Sequence, residues 1–197
     1  MIVRPFSEPR DLEAALPQVR ACLGDSGVVL LPTETFYGLA CDPWSKTGVR
    51  RVFELKNRPR ESFLPVLAAN WEQVDRLVLV AETWRARLRA LWPGAITVVL
   101  PTRKTILASS GSTVAVRIPG HGLLRQLLEV TGPLTGTSAN SHGETPENDL
   151  EGALRSLGGD PDLALDGGPT PGGSPSTLVD LTGPEARILR QGLEVWG

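Results

Sequence analysis

The stretch Gly-Val-Val-Leu-Leu-Pro-Thr-Glu-Thr-Phe-Tyr-Gly-Leu-Ala at residues 27–40 decides the fold class. Its first five residues form a continuous apolar run, which is typical of a strand that is buried on both faces of a sheet. The strand ends at Pro32, and the polar loop Thr33-Glu34-Thr35 follows it. Because open α/β sheets bind their ligands at loops that follow strands, this loop is the first candidate binding segment.

The predicted elements on either side of this stretch alternate between helices and strands, which indicates an α/β fold. Apolar residues at helical spacing predict helices at residues 9–24, 45–57, 81–92, 122–130 and 150–157. Short apolar runs predict strands at residues 64–68, 95–100, 113–118 and 134–137, and a hairpin formed by 177–181 and 186–189. Short connections near the end favour a mixed sheet, and no linker divides the chain, so we predict one domain over residues 1–197.

Composition excludes several classes of protein. Hydrophobic residues make up 41% and charged residues 21% of the 197 residues, which is ordinary globular usage and excludes a disordered chain. The apolar runs fall far below the roughly 20 residues of a membrane span, so no membrane contact is predicted. Cys22 and Cys41 form no CxxC pair, which favours a cytoplasmic protein with reduced thiols and no cysteine-rich zinc site.

The net charge of −2 conceals a strong asymmetry along the chain. Residues 50–128 contain 13 basic and 5 acidic residues, a balance of +8, whereas residues 129–185 contain 1 and 10, a balance of −9. A basic section attracts phosphate or carboxylate, so an anionic ligand is one interpretation. Pairing of the two sections with each other on folding is the alternative, and charge alone does not decide between them.

The familiar catalytic motifs are absent from the sequence. It contains no GxxxxGK[ST] or GxGxxG phosphate loop and no HExxH zinc motif, and its two histidines are His121 and His142. No metal site is therefore predicted. The segment at residues 136–140 is close to the nucleophile elbow of serine hydrolases, but its last residue is Asn140 instead of glycine. His142 follows in the same loop, which disfavours a catalytic triad.

Several polar residues remain as candidates, and each also has a structural interpretation. Threonines such as Thr33 and Thr35 commonly form turns, and Lys56 and Arg58 stand where cations stabilise a helix end. That helix has Ser45 as its predicted N-cap and is expected to end before Pro59, which forces the preceding residue toward an extended conformation. The other candidates end or follow strands: Arg117, Ser138, Asn140, Ser176 and Arg190.

Together and in this order, these segments resemble the YrdC family, the threonylcarbamoyl-AMP synthases of tRNA modification. The family pattern reads P-T-D/E-T-x-Y-G-L, K-x-R-P, W-P-G-x-x-T, V-A-V-R-x-P-x-H, S-A-N, S-T-x-V-D and I-L-R-x-G. Every motif is present between residue 32 and residue 192. The resemblance implies a twisted mixed β-sheet flanked by helices around a basic concave cleft. It corresponds to the short form with a single YrdC-like domain.

The resemblance implies that the protein converts L-threonine, bicarbonate and ATP to L-threonylcarbamoyladenylate and pyrophosphate. The adenylate would then be used to form N6-threonylcarbamoyladenosine (t6A) at position 37 of tRNAs that read codons beginning with A. By motif position, Lys56 and Arg58 would hold the triphosphate and be the catalytic residues. Ser138, Asn140 and Arg190 would complete ATP binding, whereas Arg117 would bind the threonine carboxylate. The remaining threonine-binding residues implied by the resemblance are Thr33, Thr35 and Ser176.

The implied partners are Mg²⁺ carried by ATP and a downstream tRNA threonylcarbamoyltransferase enzyme. Two alternatives stay open: a double-stranded RNA or tRNA-binding module, and a paralogous carbamoyl-adenylate enzyme with a different substrate. A pI near 5.8 and the lack of an RNA-binding motif count against the first. Departures from the family pattern at Phe36, Phe63, Leu67 and His142 bear on the amino-acid pocket more than on the nucleotide chemistry.

Overall fold

The computed structural model of the chain describes residues 1–58, 63–109 and 111–197. Within these residues, helices and strands alternate and the strands form two mixed sheets. The helices are α1 (Pro9–Gly24), α2 (Lys46–Leu55), α3 (Trp71–Leu77), α4 (Glu82–Leu91), α5 (Gly122–Thr131) and α6 (Leu150–Arg155). The strands are β1 (Ile2–Pro5), β2 (Val29–Pro32), β3 (Tyr37–Ala40), β4 (Val66–Leu67), β5 (Ile96–Pro101), β6 (Thr113–Arg117), β7 (Leu134–Thr135), β8 (Thr137–Ser138), β9 (Leu163–Asp166), β10 (Thr177–Asp180) and β11 (Arg187–Arg190).

The first sheet has the strand order β1-β9-β2-β3-β8. Strand β9 pairs in parallel with both β1 and β2, whereas β2 and β3 form an antiparallel pair around the loop at residues 33–36. As predicted, β2 is buried on both faces. Leu30 packs in the larger hydrophobic cluster, while Val29 and Leu31 pack in the cluster that includes the buried faces of α1 and α5.

The second sheet has the order β11-β10-β5-β6-β4-β7. It combines parallel pairs, β10 with β5 and β6 with β4, with three antiparallel pairs, one of which is the predicted hairpin of β10 and β11. The mixed α/β architecture is therefore confirmed, with the strands divided between two sheets.

The predicted strand at residues 134–137 is wrong as a single element. Its first half, β7, belongs to the second sheet and its second half, β8, to the first, so the chain crosses between the sheets at Gly136. A β-carbon at Gly136 would overlap the buried side chain of Leu67. The crossing is tied by two hydrogen bonds, from Thr135 N to Cys41 O (2.9 Å) and from Cys41 N to the Thr135 hydroxyl (2.9 Å).

Helix α2 shows a different ending from the one predicted. Ser45 is the N-cap as expected, since its side chain accepts a hydrogen bond from Gly48 N (3.0 Å). At the other end, the helix stops at Leu55 and the chain turns at Asn57, whose φ is 49°. Asparagine tolerates this left-handed conformation, so it supplies the helix stop. Pro59, to which the sequence assigned that role, lies outside the described residues.

Four elements were absent from the sequence prediction: β1, β3, α3 and β9. Strand β9 lies at residues 163–166, immediately before a segment rich in glycine and proline at residues 167–175. It pairs with strands more than a hundred residues away in sequence. Such pairing comes from tertiary packing more than from local preference. No helix within the described residues is both long enough and apolar enough to cross a membrane.

Candidate active site

A cavity of about 310 Å³ opens between the two sheets. Strands of the first sheet, strands of the second sheet and the end of α2 all contribute to its lining. All nine site residues predicted from the sequence line this one cavity: Thr33, Thr35, Lys56, Arg58, Arg117, Ser138, Asn140, Ser176 and Arg190. The chain therefore brings together residues that are separated by up to 157 positions, from 33 to 190.

The end of α2 places the first two cations. Asn57 N donates to Glu54 O (3.1 Å) and Arg58 N donates to Phe53 O (3.0 Å), which is the hydrogen-bond pattern of a Schellman motif. This turn puts Lys56 and Arg58 on either side of the left-handed residue, at the helix end where the macrodipole favours positive charge. The K-x-R spacing therefore corresponds to a helix stop in which the left-handed residue lies between the two cations, and both cations line the cavity.

Lys56 is buried, with only 3% of its surface exposed. Its ammonium donates to the Asn140 carbonyl oxygen (2.7 Å), to the Asn140 side-chain oxygen (3.4 Å) and to the Ser138 carbonyl oxygen. Its own carbonyl accepts from His142 N (2.8 Å), so both ends of Lys56 hold the loop that follows β8. Burial, with a smaller contribution from the charge of Arg58, lowers the pKa of Lys56 to about 8.

Asn140 uses its side-chain donors inside this loop. Its amide nitrogen donates to Ser141 O (3.0 Å) and to Glu144 O (2.7 Å), while its side-chain oxygen faces Lys56. Both amide hydrogens are therefore engaged by backbone oxygens. The Ser138 hydroxyl, in contrast, makes no hydrogen bond within the described part of the chain, so it is free to donate into the cavity.

Thr33 and Thr35 form a hydrogen-bonded turn, as the structural interpretation of these residues proposed. The Thr33 hydroxyl donates to Phe36 O (2.8 Å) and accepts from Thr35 N (3.1 Å). The two threonine hydroxyls are 3.0 Å apart. Because the Thr33 hydrogen is used by Phe36 O, Thr35 is the donor in this contact. The Thr35 oxygen therefore presents its remaining lone pairs as acceptors to the cavity.

Ser176 and Arg190 form a third group, together with a residue that the sequence analysis gave no role. The Ser176 hydroxyl is 2.8 Å from the hydroxyl of Thr97, on β5. Arg190 donates to Ser176 O from Nη2 (2.9 Å) and Nε (3.3 Å). Thr97 also lines the cavity, and its signal in the sequence was its position as the last residue of the W-P-G-x-x-T motif.

Arg117 ends β6 and is almost completely buried, with its side chain 7% exposed. Its Nη1 lies 3.2 Å from a carboxylate oxygen of Glu34, the central residue of the loop between β2 and β3. Burial and the nearby charge of Arg117 together lower the pKa of Arg190. Arg117 and Arg190 therefore lie close to each other in the lining, whereas Lys56 and Arg58 are carried by the end of α2, and we call the surroundings of these two pairs of cations the two ends of the cavity.

The lining is strongly asymmetric in charge. Four cationic side chains and no Asp or Glu occur among the described residues that line the cavity. No group of three or more metal-ligating side chains occurs within residues 1–58, 63–109 and 111–197. The described residues of the site therefore offer fixed positive charge and hydroxyl groups, which suit an anionic ligand, and they include no nucleophile held by a base.

The four departures from the family pattern all line the cavity: Phe36, Phe63, Leu67 and His142. Leu67 is 1% exposed and lies beside Arg117 in the register of the pair β4 and β6. Leu67 therefore shapes the part of the lining that adjoins Arg117. His142 is exposed and follows the loop held by Lys56, at the other end.

The model of the Sua5/YciO/YrdC family, described as "Telomere recombination", matches residues 21–192. The chain belongs to this family. The match contains the seven motifs and all nine candidate residues, so the resemblance found in the sequence is confirmed.

Curated relatives and solved structures agree with this membership. A protein of Mycobacterium tuberculosis named "Putative threonylcarbamoyl-AMP synthase" is 33% identical over 192 residues, which is 95% of this chain and 87% of that protein. A Marinobacter nauticus protein named "Threonylcarbamoyl-AMP synthase" is 35% identical over 188 residues, 92% of this chain and 98% of the relative.

Among solved structures, the crystal structure of P. abyssi Sua5 complexed with L-threonine matches with a TM-score of 0.88 and 30% identity. The match covers 98% of this chain and 58% of that Sua5 chain, so this chain spans a little over half of its length. Escherichia coli YciO matches with a TM-score of 0.82 and 25% identity, over 98% of this chain and 94% of YciO.

Proposed function

We propose that this chain is a threonylcarbamoyl-AMP synthase, which converts L-threonine, bicarbonate and ATP to L-threonylcarbamoyladenylate and pyrophosphate. The observation that carries this proposal is the single cavity in which Lys56, Arg58, Arg117 and Arg190 converge. Relatives at 33% and 35% identity bear that name, and a similar structure holds L-threonine.

The proposed chemistry needs fixed charge more than covalent catalysis. The amine of threonine and bicarbonate form a carbamate with loss of water, and a carbamate oxygen attacks the α-phosphorus of ATP. The bond from the α-phosphorus to the bridging oxygen breaks, and pyrophosphate leaves with the electron pair. Both reactants are anions, so the protein must hold them in line and offset their repulsion. A cavity lined by four cations meets this requirement.

The triphosphate is assigned to the end formed by α2 and the loop after β8. Lys56 and Arg58 would bind the phosphates, and the free hydroxyl of Ser138 would donate to a phosphate oxygen. Lys56 acts here in two ways: its ammonium donates to the carbonyl oxygens of Ser138 and Asn140, and the N–H that makes only the long 3.4 Å contact with the Asn140 side-chain oxygen is the one that we assign to a phosphate. Asn140 would then act chiefly through the shape of this loop, since its amide hydrogens are engaged by backbone oxygens.

The amino acid is assigned to the opposite end of the cavity. The planar fork of Arg117 suits a carboxylate, which it can bind through two parallel hydrogen bonds. The acceptor lone pairs of Thr35 suit an N–H or O–H of threonine, and Thr33 holds Thr35 in place. Ser176 adds a hydroxyl near Arg190, and Arg190, which lies close to Arg117, is the cation of this end that we assign to the nucleotide.

The proposed Mg²⁺ is part of the nucleotide substrate. No carboxylate is found in the lining formed by the described residues, so the donors present fit an ion bound by phosphates and water. The further partner that we propose is the one implied by the family, a tRNA threonylcarbamoyltransferase in the cytoplasm. This enzyme would consume the adenylate and form t6A at position 37 of tRNA. Contact of this chain with tRNA itself belongs to the same proposal.

The test is pyrophosphate release by the purified chain supplied with bicarbonate and Mg-ATP. We expect release that depends on L-threonine and is at least tenfold slower with L-serine. No threonine-dependent release would refute the activity, and equal rates with serine would refute the specificity and favour a paralogous carbamoyl-adenylate enzyme. Salt-sensitive tRNA binding without any turnover would favour the RNA-binding alternative.

A further inference from the structure

Glu34 is an acidic residue of the first motif, P-T-D/E-T-x-Y-G-L, and the preceding assignments give it no role. It lies between Thr33 and Thr35, and its side chain is 17% exposed. Both carboxylate oxygens are buried, and neither accepts a hydrogen bond within the described part of the chain. A buried carboxylate without hydrogen bonds is unfavourable unless a charge compensates it. Its charged partner is Arg117, at 3.2 Å.

Arg117 shows the same pairing from the other side. Its Nε is buried and makes no hydrogen bond among the described residues, and its ion pair there is with Glu34. Arg117 lines the cavity but Glu34 does not, so Glu34 contacts the guanidinium from outside the cavity. The other N–H groups of Arg117 make no hydrogen bond with the described residues, so they can donate to a ligand.

Repulsion between the two arginines at this end of the cavity favours the pairing of Arg117 with a carboxylate. Arg190 is close enough to Arg117 for the charge of Arg117 to lower the pKa of Arg190. Two like charges in a partly buried site push each other apart unless an opposite charge holds one of them. Glu34 supplies that charge on the side of Arg117.

The position of Glu34 is itself fixed by two neighbouring loops. The hydrogen-bonded turn of Thr33 and Thr35 holds its backbone. On the other side, a β-carbon at Gly120 would lie 3.2 Å from Glu34 Cγ, so this glycine leaves room for the glutamate side chain. The next residue, His121, caps α5 by accepting from Leu124 N (3.2 Å), which anchors the loop that follows β6.

We propose that Glu34 is a positioning residue, which holds the Arg117 guanidinium in the orientation that binds the substrate carboxylate. This inference rests on the proposed function, because it takes threonine as the substrate at Arg117. The inference also gives a physical reason for two positions in the motifs. These are the acidic residue of P-T-D/E-T, Glu34, and the glycine that follows the proline of V-A-V-R-x-P, Gly120. The first is the counter-ion of the arginine, and the second makes space for that counter-ion.

The experiment compares steady-state pyrophosphate release by the wild type, Glu34→Gln, Glu34→Asp and the control Glu13→Gln, an exposed residue on α1. Threonine is varied at saturating Mg-ATP, and ATP is varied at saturating threonine. We expect Glu34→Gln to raise the KM for threonine about tenfold, as expected for loss of a buried charge partner, with kcat and the KM for ATP within about twofold. Glu34→Asp keeps the charge and should lie between Glu34→Gln and the wild type.

A threonine KM within twofold of the wild type in Glu34→Gln would overturn the inference, as would an equal rise in the KM for ATP, which indicates a general structural defect. If thermal melting shows that Glu34→Gln does not fold, Glu34→Asp decides alone. In that case the KM for threonine must rise at least threefold with the KM for ATP unchanged, and an unchanged value overturns the inference. A wild type without threonine-dependent release refutes the proposed function instead, whatever the variants show.

Discussion

The two ends of the cavity hold their cations in different ways. Lys56 donates to neutral backbone and amide oxygens, and no carboxylate within the described residues pairs with it. Arg117 at the other end is paired with the carboxylate of Glu34. Burial lowers the pKa values of Lys56 and Arg58, and also that of Arg190 at the other end, so the feature that separates the two ends is the carboxylate that offsets the charge of Arg117.

This difference between the two ends favours binding of ATP at one end and of threonine at the other. An uncompensated positive end gains most from a ligand with several negative charges, such as a triphosphate. An arginine whose charge is already offset by a carboxylate has less attraction for a polyanion but keeps the geometry that recognises one carboxylate. The comparison predicts that substitutions at one end change nucleotide handling and substitutions at the other change threonine handling.

The largest effect is expected for Lys56→Met. Loss of the ammonium removes both a phosphate contact and the hydrogen bonds to the carbonyl oxygens of Ser138 and Asn140. We expect kcat to fall on the order of a hundredfold, about 2.7 kcal/mol of barrier. Steady-state pyrophosphate release measures this, with the exposed Lys46→Met as control. A kcat within threefold of the wild type would contradict the catalytic assignment and would indicate that Lys56 has only a structural role at the helix end.

A smaller effect, confined to the amino-acid end, is expected for Arg117→Lys. Lysine keeps the charge but cannot form two parallel hydrogen bonds with a carboxylate. We expect the KM for threonine to rise about tenfold, about 1.4 kcal/mol, with the KM for ATP unchanged. Arg155→Lys, at an exposed position on α6, is the control. An equal rise in both KM values would show that the two ends are not separate binding sites.

The pH dependence of ATP binding tests the uncompensated end. The pKa of Lys56 is lowered to about 8, so its positive charge is present below that pH and is lost as the pH rises through it. We expect the affinity for ATP, measured by calorimetry without threonine, to weaken about fivefold between pH 7.5 and 9.5. The change should be absent in Lys56→Arg, which keeps its charge over the whole range. An affinity that does not vary with pH in the wild type would contradict the lowered pKa.

The smallest effect is expected for Thr97→Val, which removes the hydroxyl 2.8 Å from that of Ser176 while keeping the shape of the side chain. Loss of one hydrogen bond between neutral groups is worth about 1 kcal/mol, so we expect the KM for threonine to rise two- to fivefold. Thr83→Val, at an exposed position in α4, is the control. A change in the KM for ATP alone would place Ser176 at the nucleotide instead.

Sequence motifs were sufficient to predict which residues meet in the cavity, because each motif carries its polar residues at the end of a strand or helix. Lys56 and Arg58 were recognised from the K-x-R-P motif of the family, and the structure adds the left-handed turn at Asn57 that lies between them. The partners of Lys56 could not be predicted, since the loop that accepts its hydrogen bonds is more than eighty residues away. The pairing of Glu34 with Arg117 was hidden for the same reason.

The division into two sheets was also beyond the sequence. Residues 134–137 have the apolar and β-branched character of one strand, and local preference gives no sign that the chain changes sheets at Gly136. The contact that requires the glycine there is with Leu67, far away in sequence. Strand β1 was missed because its four residues are mostly exposed, so it has no buried apolar pattern to detect.

The separation of the two anions is tested most directly by a crystal structure with L-threonine and a non-hydrolysable ATP analogue bound together. We predict the threonine carboxylate within about 3 Å of the Arg117 guanidinium, with the phosphates in contact with Lys56 and Arg58. Phosphates bound at Arg117 and the carboxylate at Lys56, or either ligand bound outside the cavity, would contradict the account.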